Sequence, residues 1–320
     1  MTLADVSALG EALLRLSVRP GERLDDAPAF EVHVAGSEAN VAYALARIGL
    51  RAAWTSVLPE GPLGRRVAST LAAGGVDVSN VVWAPAGRLG TYYVEFGSAP
   101  RPTRVVYDRA GTPITSAGPE LFDWDRVCHA RAVHLSGITT ALSASAHALV
   151  ETAVAEAKRR GRLVSFDVNY RQRLWSPAEA ARSLIAIGPR LDLVIATVED
   201  ARDLLGIAGA PADAVRRLAD ALGGVPTAVL TCGAEGAVLL HEGRVHASPG
   251  AVVEPVDRIG AGDAFAAGLL AGWLAGSPEA GLRRGLAMSA LKMTLRGDLF
   301  RFAAEDVDEV LAGPLREVGR

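Results

Sequence analysis

In the stretch DRIGAGDAFAAGLLAGWLAG, residues 257–276, three small residues, Gly260, Ala261 and Gly262, precede Asp263 and a long apolar run follows. Small residues at the start of a helix leave backbone N–H groups uncovered, and that end of a helix carries partial positive charge. Together they form an anion cradle suited to phosphate. The same field favours an ionised Asp263 at neutral pH, and an ionised carboxylate beside bound phosphate can take the proton of an attacking hydroxyl. The plainer alternative is an aspartate that caps a helix behind a flexible turn. Two other phosphate loops are excluded: GxxxxGK[ST] occurs nowhere, and GxGxxG fails at Phe265.

Positioning such a group requires a scaffold, and the chain has the pattern of one. From about residue 36, short β-rich runs alternate with amphipathic stretches. EANVAYALARIGL, PLGRRVASTLAAGG and SASAHALVETAVAEAKRRG read as helices, and AAWTSVL, RAVHLS, RLVSFDV, LDLVIA and TAVLT as strands. Repeated βα units predict an α/β fold with a mostly parallel sheet between helical layers. Residues 13–35 and 89–110 interrupt that rhythm with strand-like alternation (TYYVEF, TRVVYDR) and predict a small antiparallel sheet built from two excursions. Residues 261–276, 278–295 and 304–312 read as helices. Four polar segments follow predicted strands: SGIT, NYRQR, TVED and TCGAEG. Ligands of open parallel sheets bind beyond the carboxyl ends of the strands, so these four, with Arg171 and Asp263, predict one site.

Composition narrows the class. The chain has 320 residues and a formal net charge of −3, with no basic block, which gives no reason to expect nucleic acid. Its longest apolar run, 264–276, is shorter than a membrane span of about 20 residues. Asp5, Glu11 and Arg15 interrupt the apolar N-terminal stretch, which argues against a signal peptide. Cys128 and Cys232 lack metal-ligand spacing, so a reduced, cytoplasmic protein is expected. His241 and His246 flank an expected hairpin without a third ligand, and read as surface or sheet histidines. His33 and His134 border the expected pocket and read as structural.

The same residues carry a family resemblance. DRIGAGDAFAAGLLAG resembles the C-terminal signature of the ribokinase-like (PfkB) carbohydrate kinases, and GSEANVAYALARIGL their N-terminal sugar-binding signature. FDVNYRQRLW, YYVEFGSAPRPTRVVYDRAGT and HLSGIT are most similar to the 2-keto-3-deoxygluconate kinases within that family. The resemblance runs from Ala8 to RGDLF near residue 300. It implies one ribokinase-like kinase domain over residues 1–320, a three-layer sandwich whose small β-sheet closes over the sugar. It also implies ATP-dependent phosphorylation of a primary hydroxyl, with Mg2+ beside the triphosphate.

Carried over by position, the resemblance implies that Asp263 is the catalytic base, with Gly260, Ala261 and Gly262 as the anion hole. Gly36, Asn40, Tyr92, Tyr107, Arg109, Ile138, Arg171 and Asp298 are the implied substrate positions. Asn169, Arg171, Thr197, Thr231, Gly233, Gly236, Gly260 and Gly262 are the implied ATP positions, and Asp200 an implied metal contact through water. Arg109 and Arg171 suit a sugar carboxylate, each contributing a charge-assisted bond of about 1.5–3 kcal/mol. The chain departs from the family pattern at Ala35-Gly36, where a glycine pair is usual. It also has Asp257-Arg258-Ile259 in place of Asp-Thr-Thr, losing the hydroxyls of a ribokinase-type monovalent-cation site. Thr197-Val198-Glu199-Asp200 replaces Asn-x-x-Glu. Fructose, 5-keto-2-deoxygluconate, or binding of a sugar acid without catalysis remain the alternatives. An exposed edge on the small sheet predicts a dimer or a multiple of one.

Overall fold

The computed structural model describes residues 2–313, and Met1 and residues 314–320 lie outside the described residues. The first strands are β1 (Ala4–Leu9), β2 (Leu13–Ser17), β3 (Glu31–Ala35), β4 (Ala52–Thr55), β5 (Val57–Pro59), β6 (Val82–Ala84), β7 (Gly90–Glu95) and β8 (Arg104–Asp108). They are followed by β9 (Ala130–Ser136), β10 (Leu163–Asp167), β11 (Leu193–Thr197), β12 (Thr227–Thr231), β13 (Ala237–His241) and β14 (Arg244–Ser248). Helices α1 (Ser37–Arg47), α2 (Pro62–Ala73), α3 (Trp124–Val127), α4 (Gly137–Thr140), α5 (Ala144–Arg159) and α6 (Pro177–Ile187) lie among them. The remaining helices are α7 (Val198–Leu205), α8 (Pro211–Ala221), α9 (Ala261–Leu274), α10 (Pro278–Met293) and α11 (Ala304–Leu311).

Eight strands form the main sheet in the order β14-β13-β12-β11-β10-β9-β1-β4. It is parallel from β12 to β4, and β13 and β14 add an antiparallel hairpin at one edge. Parallel strands covered on both faces carry near-continuous apolar runs, as Leu193, Val194, Ile195 and Ala196 do in β11. One apolar cluster joins the sheet to α1, α2, α9 and α10, and a second joins its other face to α5, α6 and α8. Helix α9 is apolar around nearly its whole circumference because it is buried between the sheet and α10. Glycines permit that close approach: a Cβ on Gly268 would lie 2.7 Å from the Gly285 backbone.

The small sheet is where expected but differently paired. Its order is β3-β2-β7-β8, and β2 runs parallel to β7 while the two outer pairs are antiparallel. Each excursion leaves the main body through its inner strand and returns through its outer one, so the two inner strands share a direction. AAWTSVL, read as one strand, breaks at Ser56 into β4, which joins the main sheet, and β5, which pairs with β6. Strand β1, which lies between β9 and the edge strand β4, was not read as a strand. The expected hairpin at His241 and His246 is β13–β14. No helix among the described residues is long and apolar enough to cross a membrane.

Candidate active site

The turn before α9 admits only glycine at one point. Gly260 has φ 86°, and a Cβ on it would lie 2.3 Å from the carbonyl oxygen of Asp298. Ala261 donates its N–H to Arg258 O at 3.2 Å, which closes the turn, whereas the N–H groups of Gly262 and Asp263 have no backbone partner. The open donors of the helix start are therefore at Gly262 and Asp263 rather than Ala261.

Helix α1 meets α9 end to end at the aspartate. Ser37 Oγ donates to Asp263 Oδ1 at 2.8 Å, and Asn40 Nδ2 to Oδ2 at 2.7 Å. Asn169, in the segment after β10, donates to Ser37 Oγ at 3.0 Å and extends the chain of bonds. Gly36 lets α1 approach: at φ 149°, its Cβ would fall 2.3 Å from Glu11 O. Burial pushes the Asp263 carboxyl up to about 6, against the bonds from Asn40 and Ser37 and the charge of Arg171, which lower it. The group is mostly ionised at neutral pH, although burial outweighs the helix field that the sequence emphasised.

A cleft of about 520 Å³ opens beyond the strand ends, within the usual range for small-molecule sites. Asp167, Asn169, Arg171, Thr197, Asp200 and Thr231 line it together with the α9 turn. A second, smaller chamber adjoins it, lined by Glu11, Gly36, Asn40, Arg109, Ile138 and Asp298. Asp263, Gly260, Asn169, Arg171, Tyr92 and Tyr107 border both. The post-strand segments thus converge, and the small sheet contributes Tyr92 and Tyr107, stacked with centroids 5.4 Å apart. Gly233 and Gly236 line neither chamber. A Cβ on Gly236 would lie 2.1 Å from Ser248 O, so that glycine serves the packing of the β12–β13 turn.

Three acidic side chains in or beside the site, Glu11, Glu38 and Asp167, were not read as site residues in the sequence. Glu11, buried, pairs with Arg109 and accepts from Thr112 Oγ1 at 3.1 Å, so much of the Arg109 charge is already matched inside the protein. Glu38 accepts from Ser136 Oγ at 2.6 Å and Thr139 Oγ1 at 2.7 Å, and burial raises it to about 7. The carboxyl of Asp167, at the end of β10, accepts no hydrogen bond among the described residues. Burial, then the charges of Asp263 and Asp200, hold its carboxyl well above the usual range. Asp298, also buried, bonds Tyr92 Oη and Arg15 Nη1 where it lines the second chamber.

The oxygen donors facing the larger cleft suit a hard cation such as magnesium. Asp167 has both oxygens available, whereas Asp200 Oδ2 accepts from Thr197 N at 3.2 Å in a helix-capping box, which leaves one oxygen to face the cleft. No group of three or more acidic, histidine or cysteine side chains among the described residues is arranged to hold a metal. The fit is to an ion that keeps most of its water and phosphate ligands.

Comparison with known proteins agrees with this geometry. A family model described as pfkB family carbohydrate kinase matches residues 3–301. The chain is 41% identical to 2-dehydro-3-deoxygalactonokinase of Haloferax volcanii, over 97% of each protein. It is 38% identical to 2-dehydro-3-deoxygluconokinase of Thermoproteus tenax, over 91% of this chain and 89% of the other. The crystal structure of 2-dehydro-3-deoxygluconokinase from Thermotoga maritima superposes with TM-score 0.92 at 34% identity, covering 97% of this chain and 99% of that one.

Proposed function

Because the chain belongs to the pfkB family of carbohydrate kinases, we propose that it transfers the γ-phosphoryl group of ATP to the primary hydroxyl of a 2-keto-3-deoxy sugar acid. The observation that carries this reading is the place of Asp263, on the border of two chambers and beside open N–H groups. The sugar acid occupies the chamber of Gly36, Asn40, Tyr92, Tyr107, Arg109, Ile138 and Asp298. The nucleotide lies in the cleft of Asn169, Thr197 and Thr231, its terminal phosphate reaching the α9 turn.

Asp263 accepts the proton of the sugar's terminal hydroxyl as that oxygen bonds to the γ-phosphorus. The bond from that phosphorus to the bridging oxygen breaks, and ADP leaves. The N–H groups of Gly262 and Asp263 meet charge developing on the transferred oxygens. Arg171 borders both chambers and is positioned to serve the sugar carboxylate and the phosphate. Magnesium bound with ATP would be held near Asp167 and Asp200 and would neutralise charge on the β- and γ-phosphates.

Similarity at 41% to a 2-dehydro-3-deoxygalactonokinase favours a second reading of the epimer. A coupled assay of ADP release tests both. Turnover with 2-keto-3-deoxygluconate or 2-keto-3-deoxygalactonate at least tenfold above that with fructose or 5-keto-2-deoxygluconate is expected (about 1.4 kcal/mol of discrimination). Preference for a neutral hexose, or saturable binding without ADP, overturns the reading. The small sheet's exposed β8, with Val106 52% and Tyr107 42% accessible, further supports a dimer closed through that sheet. Sedimentation of a monomer at micromolar concentration would exclude it.

A further inference from the structure

The chain has only two lysines, and one of them is fully buried beneath the catalytic turn. Lys292, near the end of α10, is 0% exposed. Its Nζ donates to the carbonyl oxygens of Leu295 at 3.2 Å and Asp257 at 3.4 Å. These carbonyls belong to the two segments that frame the α9 turn. The carboxylate of Asp257 stitches the same segments together: Oδ1 accepts from Ile259 N at 3.0 Å, and Oδ2 from Gly297 N at 3.0 Å. The next residue, Asp298, supplies the carbonyl against which Gly260 packs.

The charges of this cluster balance. Arg15, also 0% exposed, pairs with Asp257 Oδ2 at 2.7 Å and donates to Asp298 Oδ1 at 3.0 Å. Two buried cations, Arg15 and Lys292, thus face two buried carboxylates, Asp257 and Asp298. A further cation would leave an unpaired buried charge, which is costly in a medium of low polarity. Conversely, removing one ammonium would leave the cluster one cation short, with two carbonyl oxygens facing the gap. A carbonyl-lined gap the size of an ammonium group suits an unhydrated monovalent ion of similar radius, such as potassium.

We propose that Lys292 is a positioning residue for phosphoryl transfer: its buried ammonium holds the Asp257–Gly260 and Leu295–Asp298 segments in register beneath the anion-binding turn and makes that turn independent of an added monovalent cation. The kinetic part rests on the kinase reading above, whereas the cation dependence of the fold does not. Lys292 touches neither reactant and acts through the backbone of the turn. Lysine suits the place because it is a compact point charge with three donors on a flexible stem, whereas a planar guanidinium would not fit two converging carbonyls.

The test compares wild type with Lys292→Met in potassium, ammonium or tetramethylammonium chloride at equal ionic strength. Thermal melting, which needs no substrate, and steady-state ADP release are both read. Wild type is expected to melt and turn over alike in all three salts. The variant is expected to lose about 10- to 100-fold in kcat, with the sugar KM little changed, through misplacement of the turn. Potassium or ammonium should restore part of that loss and raise its melting temperature by several degrees over tetramethylammonium. Wild type stimulated severalfold by potassium overturns the proposal. So does a folded variant with undiminished kcat, or one whose melting and turnover ignore the cation. Should the variant not fold, the wild-type arm decides alone. An absence of turnover on every keto-deoxy acid contradicts the kinase reading, and the melting comparison still judges the cation cluster.

Discussion

Asn40 donates its amide to Asp263 Oδ2 at 2.7 Å across the junction of α1 and α9, so the first long helix of the chain orients a carboxylate more than two hundred residues away. Ser37 holds the other oxygen at 2.8 Å. Both oxygens are therefore fixed, and a reacting hydroxyl must approach along a remaining lone pair. This explains why the signature around Gly36 and Asn40 belongs to the chemistry as well as to sugar binding.

Asp263→Asn keeps the shape and removes the proton acceptor. A fall in kcat of about 10²–10⁴-fold is expected, with sugar binding measured by calorimetry essentially retained. Near-normal turnover, with phosphoryl transfer shown to be rate-limiting, would remove Asp263 from its role.

The acid limb follows from the Asp263 carboxyl, raised to about 6 chiefly by burial. The base works when ionised, so kcat/KM should fall tenfold per pH unit below that value. Asn40→Ala deletes a bond that favours the charged form, and its limb should move to higher pH. A limb that stays in place or moves downward would show that another group governs it.

Glu38 gives a stability prediction of opposite appearance. Its carboxyl titrates at about 7 in the folded chain, against an ordinary value of 4.5. Between those values the folded chain retains a proton that the unfolded chain has released, so this group's contribution falls as pH rises. Relative to wild type, Glu38→Gln should therefore be more stable at pH 8 than at pH 5, by roughly 1–3 kcal/mol. Denaturant melts at the two pH values measure the difference.

The two arginines should separate by substrate. Arg109 is paired with buried Glu11, and Arg109→Ala leaves that carboxylate without its partner, at about 3–5 kcal/mol of stability. Arg171 has no ion pair among the described residues, so Arg171→Ala should raise KM for a keto-deoxy acid far more than for a neutral sugar. Equal penalties on both sugars would assign Arg171 to phosphate alone.

Much of the site was legible because it lies where sequence and backbone agree. Gly260 to Gly262 before an apolar run announces a helix start, and turns after β9, β10, β11 and β12 are polar in a register that the parallel sheet turns into one edge. Other features depended on tertiary pairing. ADVSAL in β1 has weak strand propensity, and its place between β4 and β9 comes from its neighbours. Glu11, Glu38 and Asp167 look like ordinary acids in the sequence, since burial is not written into a single residue type. Asp200 meets Thr197 in a Thr-x-x-Asp capping pattern, so one oxygen of the carboxylate for which the family resemblance implied a metal contact through water is already engaged. The parallel pairing of β2 with β7 joins strands from separate excursions, and no turn between them could announce it.

Arg15 projects from β2, an inner strand of the small sheet, into the carboxylates under the α9 turn. The roof of the cleft is thereby riveted to its foundation at one corner. Lifting that corner would leave two buried carboxylates with only the Lys292 ammonium to offset them in a dry interior, a cost that opposes opening of the cleft there.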